Sequence, residues 1–434
     1  MRPRRLAGYR LWQVMANRPT KESPGRLALG SGSLGPWRAE VVGSMALHGK
    51  GTPPSDVFIF DLGRPDPTPE ALVEVMNRIL TLTGAGRRLR GRSVLVKPNI
   101  LAPLPPEMHV TTSPAVVRAV VDAVRKAGGE PAVGDNPGGV ERNSLRTAEA
   151  CGILAASDGC FKNLSEEVVE VKVSNPYADK FLISKFILEA GFVINVPIFK
   201  THMLTTLTGA VKNCYGYIAG ANKARLHLSA FSRGRFAQVL LDLYALRVPD
   251  LHIVDALYVM EGNGPTHGRA RPVGKIVAGT DGLAVDAVLT MMMGVDPMQL
   301  KFFQKAAEME AAGRAPLGRY RPGEVRVLDG DGYPLEVQPL PDFALPNTIG
   351  VSIEEQAQIL MSLGAIHPRV NEDTCTLCGD CAENCPPGAI KLDPHPVVDA
   401  AKCISCFCCC ELCTAGAMEV PSGEAVGLFN RMFK

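Results

Sequence analysis

The chain has 434 residues, 46% of them hydrophobic and 21% charged, with a formal net charge of +2. That length and composition call for a large buried core and more than one domain, and no run of eighteen apolar residues offers a membrane-spanning helix. The charge is uneven: residues 1–50 hold nine Lys or Arg against two acids, and residues 371–434 hold four against nine. An acidic end disfavours nucleic acid and suits docking to a basic redox partner.

Residues 1–44 differ from the rest of the chain. They carry Arg2, Arg4, Arg5 and Arg10, both tryptophans (Trp12 and Trp37) and the Gly/Ser/Pro-rich stretch SPGRLALGSGSLGP. The Arg4–Arg5 pair lacks the apolar segment an export signal needs. We expect an extension that is disordered or that precedes a start at Met45.

From 45 to about 340 the pattern is that of an α/β domain with a mainly parallel sheet. VFIFDL (Val57–Leu62) reads as a strand, Pro69–Leu82 as a helix, and SVLVKPNI (Ser93–Ile100) as a second strand. Thr112-Ser113-Pro114 supplies a capping hydroxyl and a first-turn proline for the helix AVVRAVVDAVRKAGG, which stops at Gly128-Gly129. EPAVGDN (Glu130–Asn136), FVINVPIF (Phe192–Phe199), DLHIVDAL (Asp250–Leu257) and GKIVAGTD (Gly274–Asp281) are further strands.

Ligands of such sheets collect at the carboxyl ends of the strands, and polar residues gather there: Lys97 and Asn99, Asp135, then Lys200, Thr201 and His202, then Glu261 and Asn263, and Asp281. The GDNPGG turn (Gly134–Gly139) could cradle an anion, but it lacks the spacing of a nucleotide-binding loop. Between Phe199 and His227 lie Lys200, His202, Lys212, Asn213, Lys223, Arg225 and His227, the densest chemistry outside the tail. The lysines suit a carboxylate or phosphate and the histidines a metal or proton transfer. The candidate catalytic set is Lys200, His202, Lys212 and Glu261, with Lys97, Asn99, Asn213 and Asn263 around a further metal or small anionic ligand.

Residues 341–366 read as a linker ending in a docking helix, 367–425 as a small α+β ferredoxin-like domain and 426–434 as a tail. Eight of the thirteen cysteines repeat one spacing twice: Cys375, Cys378, Cys381, Cys385, then Cys403, Cys406, Cys409, Cys413. Each run supplies three thiolates to one 4Fe-4S cube while its fourth cysteine reaches the other cube. Zinc sites close with four ligands in separated pairs and do not call for three cysteines at equal spacing. A disulfide framework belongs to short secreted chains. We therefore expect two 4Fe-4S clusters and the reducing cytoplasm of an anaerobic or microaerobic prokaryote.

The tail resembles the bacterial two-cluster ferredoxins in CTLCGDCAENCPPGAI and CISCFCCCELCTAGAM. By that resemblance Cys375, Cys378, Cys381 and Cys413 bind one cluster, and Cys403, Cys406, Cys409 and Cys385 the other. The proline after the fourth cysteine is kept as Pro386 and replaced by Thr414. Cys408 and Cys410 are extra thiols, read as apolar fillers or as substitutes for Cys409. VLVKPNI, TTSPAVVRAVVDAVRKAGG, GDNPGG, FKTHMLTTLTGAVKNCYG, MEGNGPTHGRARPVGKIVAGTDGLAVDAV and MGVDP are similar to the domain-of-unknown-function family numbered 362, whose members often end in a ferredoxin module. A fainter likeness is to the N-terminal domain of lactate racemases. There a histidine and a lysine ten residues apart flank a Gly-containing loop, as His202 and Lys212 do around Gly209. The racemase lysine carries a nickel-pincer cofactor, and too little of the remaining pattern is present to carry that cofactor over.

Three functions are consistent with these residues. One is electron transfer between a redox partner and a site in the α/β domain. The second is a ferredoxin-fused reductase or other enzyme acting on a small anionic substrate at Lys200–His227. The third is an iron–sulfur scaffold or assembly protein.

Overall fold

The computed structural model describes residues 53–137, 144–202, 204–219, 223, 226, 230, 233–266, 268–346, 367–383, 385, 387–403, 409, 413, 415 and 417–419. Several expectations fall outside them: the extension at 1–44, Gly138 and Gly139, Arg225 and His227, the docking helix, Cys406, Cys408, Cys410, Pro386, Thr414 and the tail.

Strand β1 (Ser55–Asp61) leads to helix α1 (Pro69–Leu82), which Thr68 caps by accepting the Ala71 N–H at 3.3 Å and which Pro69 opens. After α2 (Ala85–Leu89) come β2 (Ser93–Pro98), α3 (Pro114–Lys126) and β3 (Glu130–Val133). Helix α3 starts and stops where the sequence placed it, and Gly128 takes the left-handed conformation (φ 83°) beyond its end. Its expected hydroxyl cap does not form. Thr112 Oγ1 instead donates to the Val196 carbonyl at 2.7 Å and accepts the Asn99 N–H at 2.8 Å, tying two strand ends together.

Helices α4 (Ser144–Ala150) and α5 (Ile153–Ala156) precede the hairpin of β4 (Val168–Asn175) and β5 (Ala178–Ser184), which sequence patterning did not reveal. The apolar run Phe192–Phe199 is two strands rather than one, β6 (Phe192–Val196) and β7 (Ile198–His202), parted at Pro197. Proline cannot donate to a ladder. Then follow α6 (Lys185–Glu189, between β5 and β6), β8 (Thr206–Thr208), α7 (Ala210–Asn213), α8 (Arg233–Leu246), β9 (Leu251–Glu261), β10 (Arg269–Gly279), α9 (Gly282–Met292), α10 (Lys301–Ala311) and β11 (Val325–Asp329).

The main sheet runs β11-β1-β10-β9-β6-β2-β3, with β7 pairing β9 and β8 pairing β7. The β9–β6–β2–β3 half is parallel; β10 lies antiparallel to both β1 and β9. Strand periodicity sorts the core into two layers. Phe58, Phe60, Val94, Val96, Phe192 and Ile194 face α1, α3 and α5, while Val57, Ile59, Leu95, Val193 and Val254 face α8, α9 and α10. The result is an α/β domain with helices on both faces of a mixed, mostly parallel sheet. Asp281, expected at a ligand-binding strand end, is the N-cap of α9: its carboxylate accepts the N–H groups of Leu283 and Ala284.

Among its described residues the C-terminal region holds two small sheets, β12 (Arg369–Val370) with β15 (Met418–Glu419), and β13 (Ile390–Asp393) with β14 (His395–Val398), and one helical turn, α11 (Asp380–Glu383). Their shared core is Cys381, Ile390, Cys409 and Met418.

Candidate functional site

The carboxyl ends of β2, β3, β6 and β7 converge on a buried polar network. Lys97, at the end of β2, is 0% exposed and pairs at 2.7 Å with Asp135, just beyond β3. Asp135 is held from several sides, accepting the Ile100 N–H at 2.8 Å and the Asn136 N–H at 2.9 Å. Lys223 is buried beside them and donates to the carbonyls of Asn136 and Pro137. Burial, with Lys97 and Lys212 repelling and Asp135 attracting, lowers its pKa to about 7. Gly216 closes the cluster, because a Cβ there would overlap the Asp135 carboxylate and the Lys97 ammonium.

A second chain of bonds leads from this cluster across the strand ends. Lys200 donates to Asn99 Oδ1 at 3.0 Å and to the Val110 carbonyl at 2.8 Å. Asn99 Nδ2 donates to Asn213 Oδ1 at 2.9 Å, and Asn213 Nδ2 to Asn195 Oδ1 at 2.8 Å. Asn195 in turn donates to the Ala210 carbonyl at 2.7 Å and lies 3.1 Å from His252 Nδ1. The structure thus brings Lys97, Asn99, Lys200 and Asn213 together as one connected interior.

His252 lies at the end of this chain, fully buried, and its Nε2 has no partner among the described residues. Burial drives its pKa down to about 3. The unfolded chain therefore takes up the proton first as pH falls. The stability tied to neutral His252 is complete above about pH 6.5 and is lost as pH drops toward 3. We expect wild-type unfolding free energy, relative to a His252→Leu variant, to fall by about 1.4 kcal/mol per pH unit below 6.5. Calorimetry of both proteins from pH 8 to 5.5 checks this, and parallel curves would remove the assignment.

The other expected residues lie elsewhere. His202 Nδ1 accepts the N–H groups of Leu204 (3.1 Å) and Thr205 (3.4 Å), which fixes the turn after β7. Glu261 is 0% exposed and bound by Arg269, by Arg271 at 3.2 Å and by the Ala344 N–H at 3.3 Å. Burial pushes its pKa up, but these partners outweigh it and leave the carboxyl below its ordinary value. Asn263 is half-buried in the loop between β9 and β10.

Lys212 instead lines a cavity of about 330 Å³ between the turn after β7 and helices α8, α9 and α10. Arg233, Lys301 and Asp286 share that lining; Lys200, His202 and Glu261 do not. Asp286 accepts the N–H groups of Ala210 (2.5 Å) and Val211 (3.0 Å), fixing the turn that carries Lys212. Gly209 precedes that turn because a Cβ would overlap the Asp286 carboxylate. Arg233, Lys301 and Asp286 were not read from the sequence. They come from three helices far apart in the chain, and no spacing links them.

In the C-terminal region one cavity is lined by Cys375, Cys378, Cys381 and Cys413. Cys413 belongs to the second cysteine run, and the two halves of the region explain how it arrives. They repeat at an offset of 28 residues, Cys375 to Cys403 and Cys385 to Cys413, and each half pairs with the other. The Asn371 N–H meets the Ala417 carbonyl at 2.7 Å, and the equivalent Asp399 N–H meets the Ala389 carbonyl at 2.7 Å. The fourth cysteines are equivalent too. Cys385 Sγ accepts the Ala389 N–H at 3.2 Å and Cys413 Sγ the Ala417 N–H at 3.1 Å.

Among the described residues no group of three or more His, Cys, Asp or Glu side chains stands in metal-holding geometry. The fit to a cluster therefore rests on the four-thiol lining and these N–H···S bonds. Both suit a 4Fe-4S group, whose sulfurs take backbone donors. Asp380 in the same lining is occupied by Arg146 of α4 at 3.0 Å.

Residues 94–291 match the model of the domain of unknown function DUF362, and residues 367–390 match a 4Fe-4S binding domain. A thylakoid-associated protein of Synechocystis sp. is 34% identical over 281 residues, covering 62% of this chain and 84% of the relative. The chain belongs to the DUF362 family. Within it, this member is an iron–sulfur protein with a C-terminal 4Fe-4S binding domain. Among solved structures, the lactate racemase apoprotein from Thermoanaerobacterium thermosaccharolyticum is similar to it at 11% identity and a TM-score of 0.34. That likeness covers 55% of this chain and spans just over half of the racemase, 57%. No helix among the described residues of the DUF362 chain is long and apolar enough to cross a membrane.

Proposed function

We propose that the chain holds two 4Fe-4S clusters and passes single electrons between a redox partner and a site in the α/β domain. The observation that carries this reading is the cavity shared by Cys375, Cys378, Cys381 and Cys413, built by the crosswise pairing of the two halves. By the same symmetry Cys403, Cys406, Cys409 and Cys385 hold the second cluster. Bound clusters supply one-electron redox chemistry. The chain's own contribution is to fix their thiolates and tune their charge. The N–H groups of Ala417 and Met418 on Cys413 Sγ, and of Ala389 on Cys385 Sγ, stabilise electron-rich sulfur. The buried Pro396 and Met418 line the first cavity and limit water. The acidic composition of residues 371–434 favours a partner with a basic docking face, and thiol-rich clusters favour a reducing compartment.

The test is anaerobic purification followed by iron and sulfide analysis and electron paramagnetic resonance during a redox titration. About eight irons per chain with two interacting reducible centres are expected. Zinc, or about four irons without a reversible signal, would overturn the proposal. A second reading, an enzyme acting on a small anion, is favoured by the cavity at Lys212.

A further inference from the structure

Among the described residues, three cationic side chains line the cavity at Lys212, and Asp286 is the acid with them. Its oxygens are already taken by the Ala210 and Val211 N–H groups, and burial pushes its pKa up to about 7. Lys212 is held in place by the clamped turn beneath it. Arg233 is partly withdrawn from water, and that burial pulls its pKa down. Lys301 enters from the first turn of α10, its ammonium 2.9 Å from Gln304 Oε1.

The rest of the lining is largely apolar, with Leu204, Leu240 and Phe302 among its walls. A bare phosphate or sulfate would leave those walls hydrated. A nucleotide is disfavoured too, because the volume is at the small end for ligand sites and no phosphate-binding loop spacing occurs in the sequence.

We infer that this cavity binds a small organic carboxylate with an apolar body, its charge among Lys212, Arg233 and Lys301 and its body against Leu204, Leu240 and Phe302. The site deepens the second proposed reading, that the α/β domain handles a small anion, and it does not depend on how many clusters the tail holds.

Isothermal titration calorimetry on the anaerobically purified full chain tests it. The probes are phenylacetate, 4-methylpentanoate and benzoate, with phenylacetamide and inorganic phosphate as comparisons. At least one carboxylate should bind with one site per chain, and phenylacetamide and phosphate should bind at least tenfold more weakly. Arg233→Gln and the exposed Lys301→Gln should each weaken the carboxylate about tenfold, the scale of one charge-assisted hydrogen bond. Ala237→Phe, which fills the cavity from α8, should abolish binding. The inference is overturned if none of the three carboxylates binds, if phenylacetamide binds as well as phenylacetate, or if Lys301→Gln and Ala237→Phe both leave affinity unchanged. Iron content and the redox titration on the same preparation separate this outcome from failure of the two-cluster reading.

Discussion

Replacing Cys413 with alanine is expected to remove about half of the bound iron, roughly four of eight atoms per chain, and to empty the site of the first cysteine run rather than its own. The reason lies in the backbone around each run. Cys375, Cys378 and Cys381 wrap one cavity because Leu377 (φ 57°) and Gly379 (φ 86°) turn the chain back on itself before the short helix α11. Cys385 comes after that helix and does not line the cavity; Cys413 does. Pairing of β12 with β15 carries Cys413 there, since Met418 and Ala417 are fixed opposite Val370 and Asn371.

The decisive measurement is therefore iron content in paired variants. Cys413→Ala combined with Cys375→Ala should lose no more iron than either alone, whereas Cys413→Ala combined with Cys403→Ala should lose nearly all of it. The opposite pattern would mean that each run ligates its own cluster, and the crosswise assignment would fail.

The 4Fe-4S binding domain was legible because its signal is local, a run of cysteines each separated from the next by two residues. Much of the sheet was legible for a similar reason. Thr68 and Pro69 mark the start of α1 by local chemistry alone. What failed to show were features that depend on distant pairing. The run from Phe192 to Phe199 is apolar throughout, so nothing but Pro197 marked the change from β6 to β7. The antiparallel placement of β10 against β1 and β9 is likewise a matter of partners, not of periodicity. Glu261 illustrates the cost of reading a strand end alone. Its counter-ions Arg269 and Arg271 lie eight and ten residues on, across the β9–β10 connection, and hold it as a paired carboxylate. The cavity at Lys212 was beyond reach for the same reason, because α8, α9 and α10 meet only in the folded chain.

Breaking the Lys97–Asp135 pair is expected to be the most destabilising single change in the α/β domain, with Lys97→Met costing about 3–5 kcal/mol in denaturant unfolding. Both side chains are almost wholly removed from water, at 0% and 3% side-chain exposure. Loss of one therefore leaves the other as a buried charge without its nearest counter-ion. The pair alone would not be worth that much, since a buried ion pair often merely breaks even against apolar residues of similar size. Its surroundings make the difference here. Asp135 also accepts the Ile100 and Asn136 N–H groups and is the attractive charge for Lys223. Removing the lysine leaves the carboxylate with Lys223, while removing the carboxylate leaves two buried lysines facing each other. Asp135→Leu should accordingly cost more than Lys97→Met, and the double variant Lys97→Met with Asp135→Leu should recover only part of the loss. Near-complete recovery would mean that the backbone donors and Lys223 contribute little. A cost below about 1 kcal/mol for Lys97→Met would show that water reaches the pair, and the strand ends would then be an open pocket rather than a sealed electrostatic core.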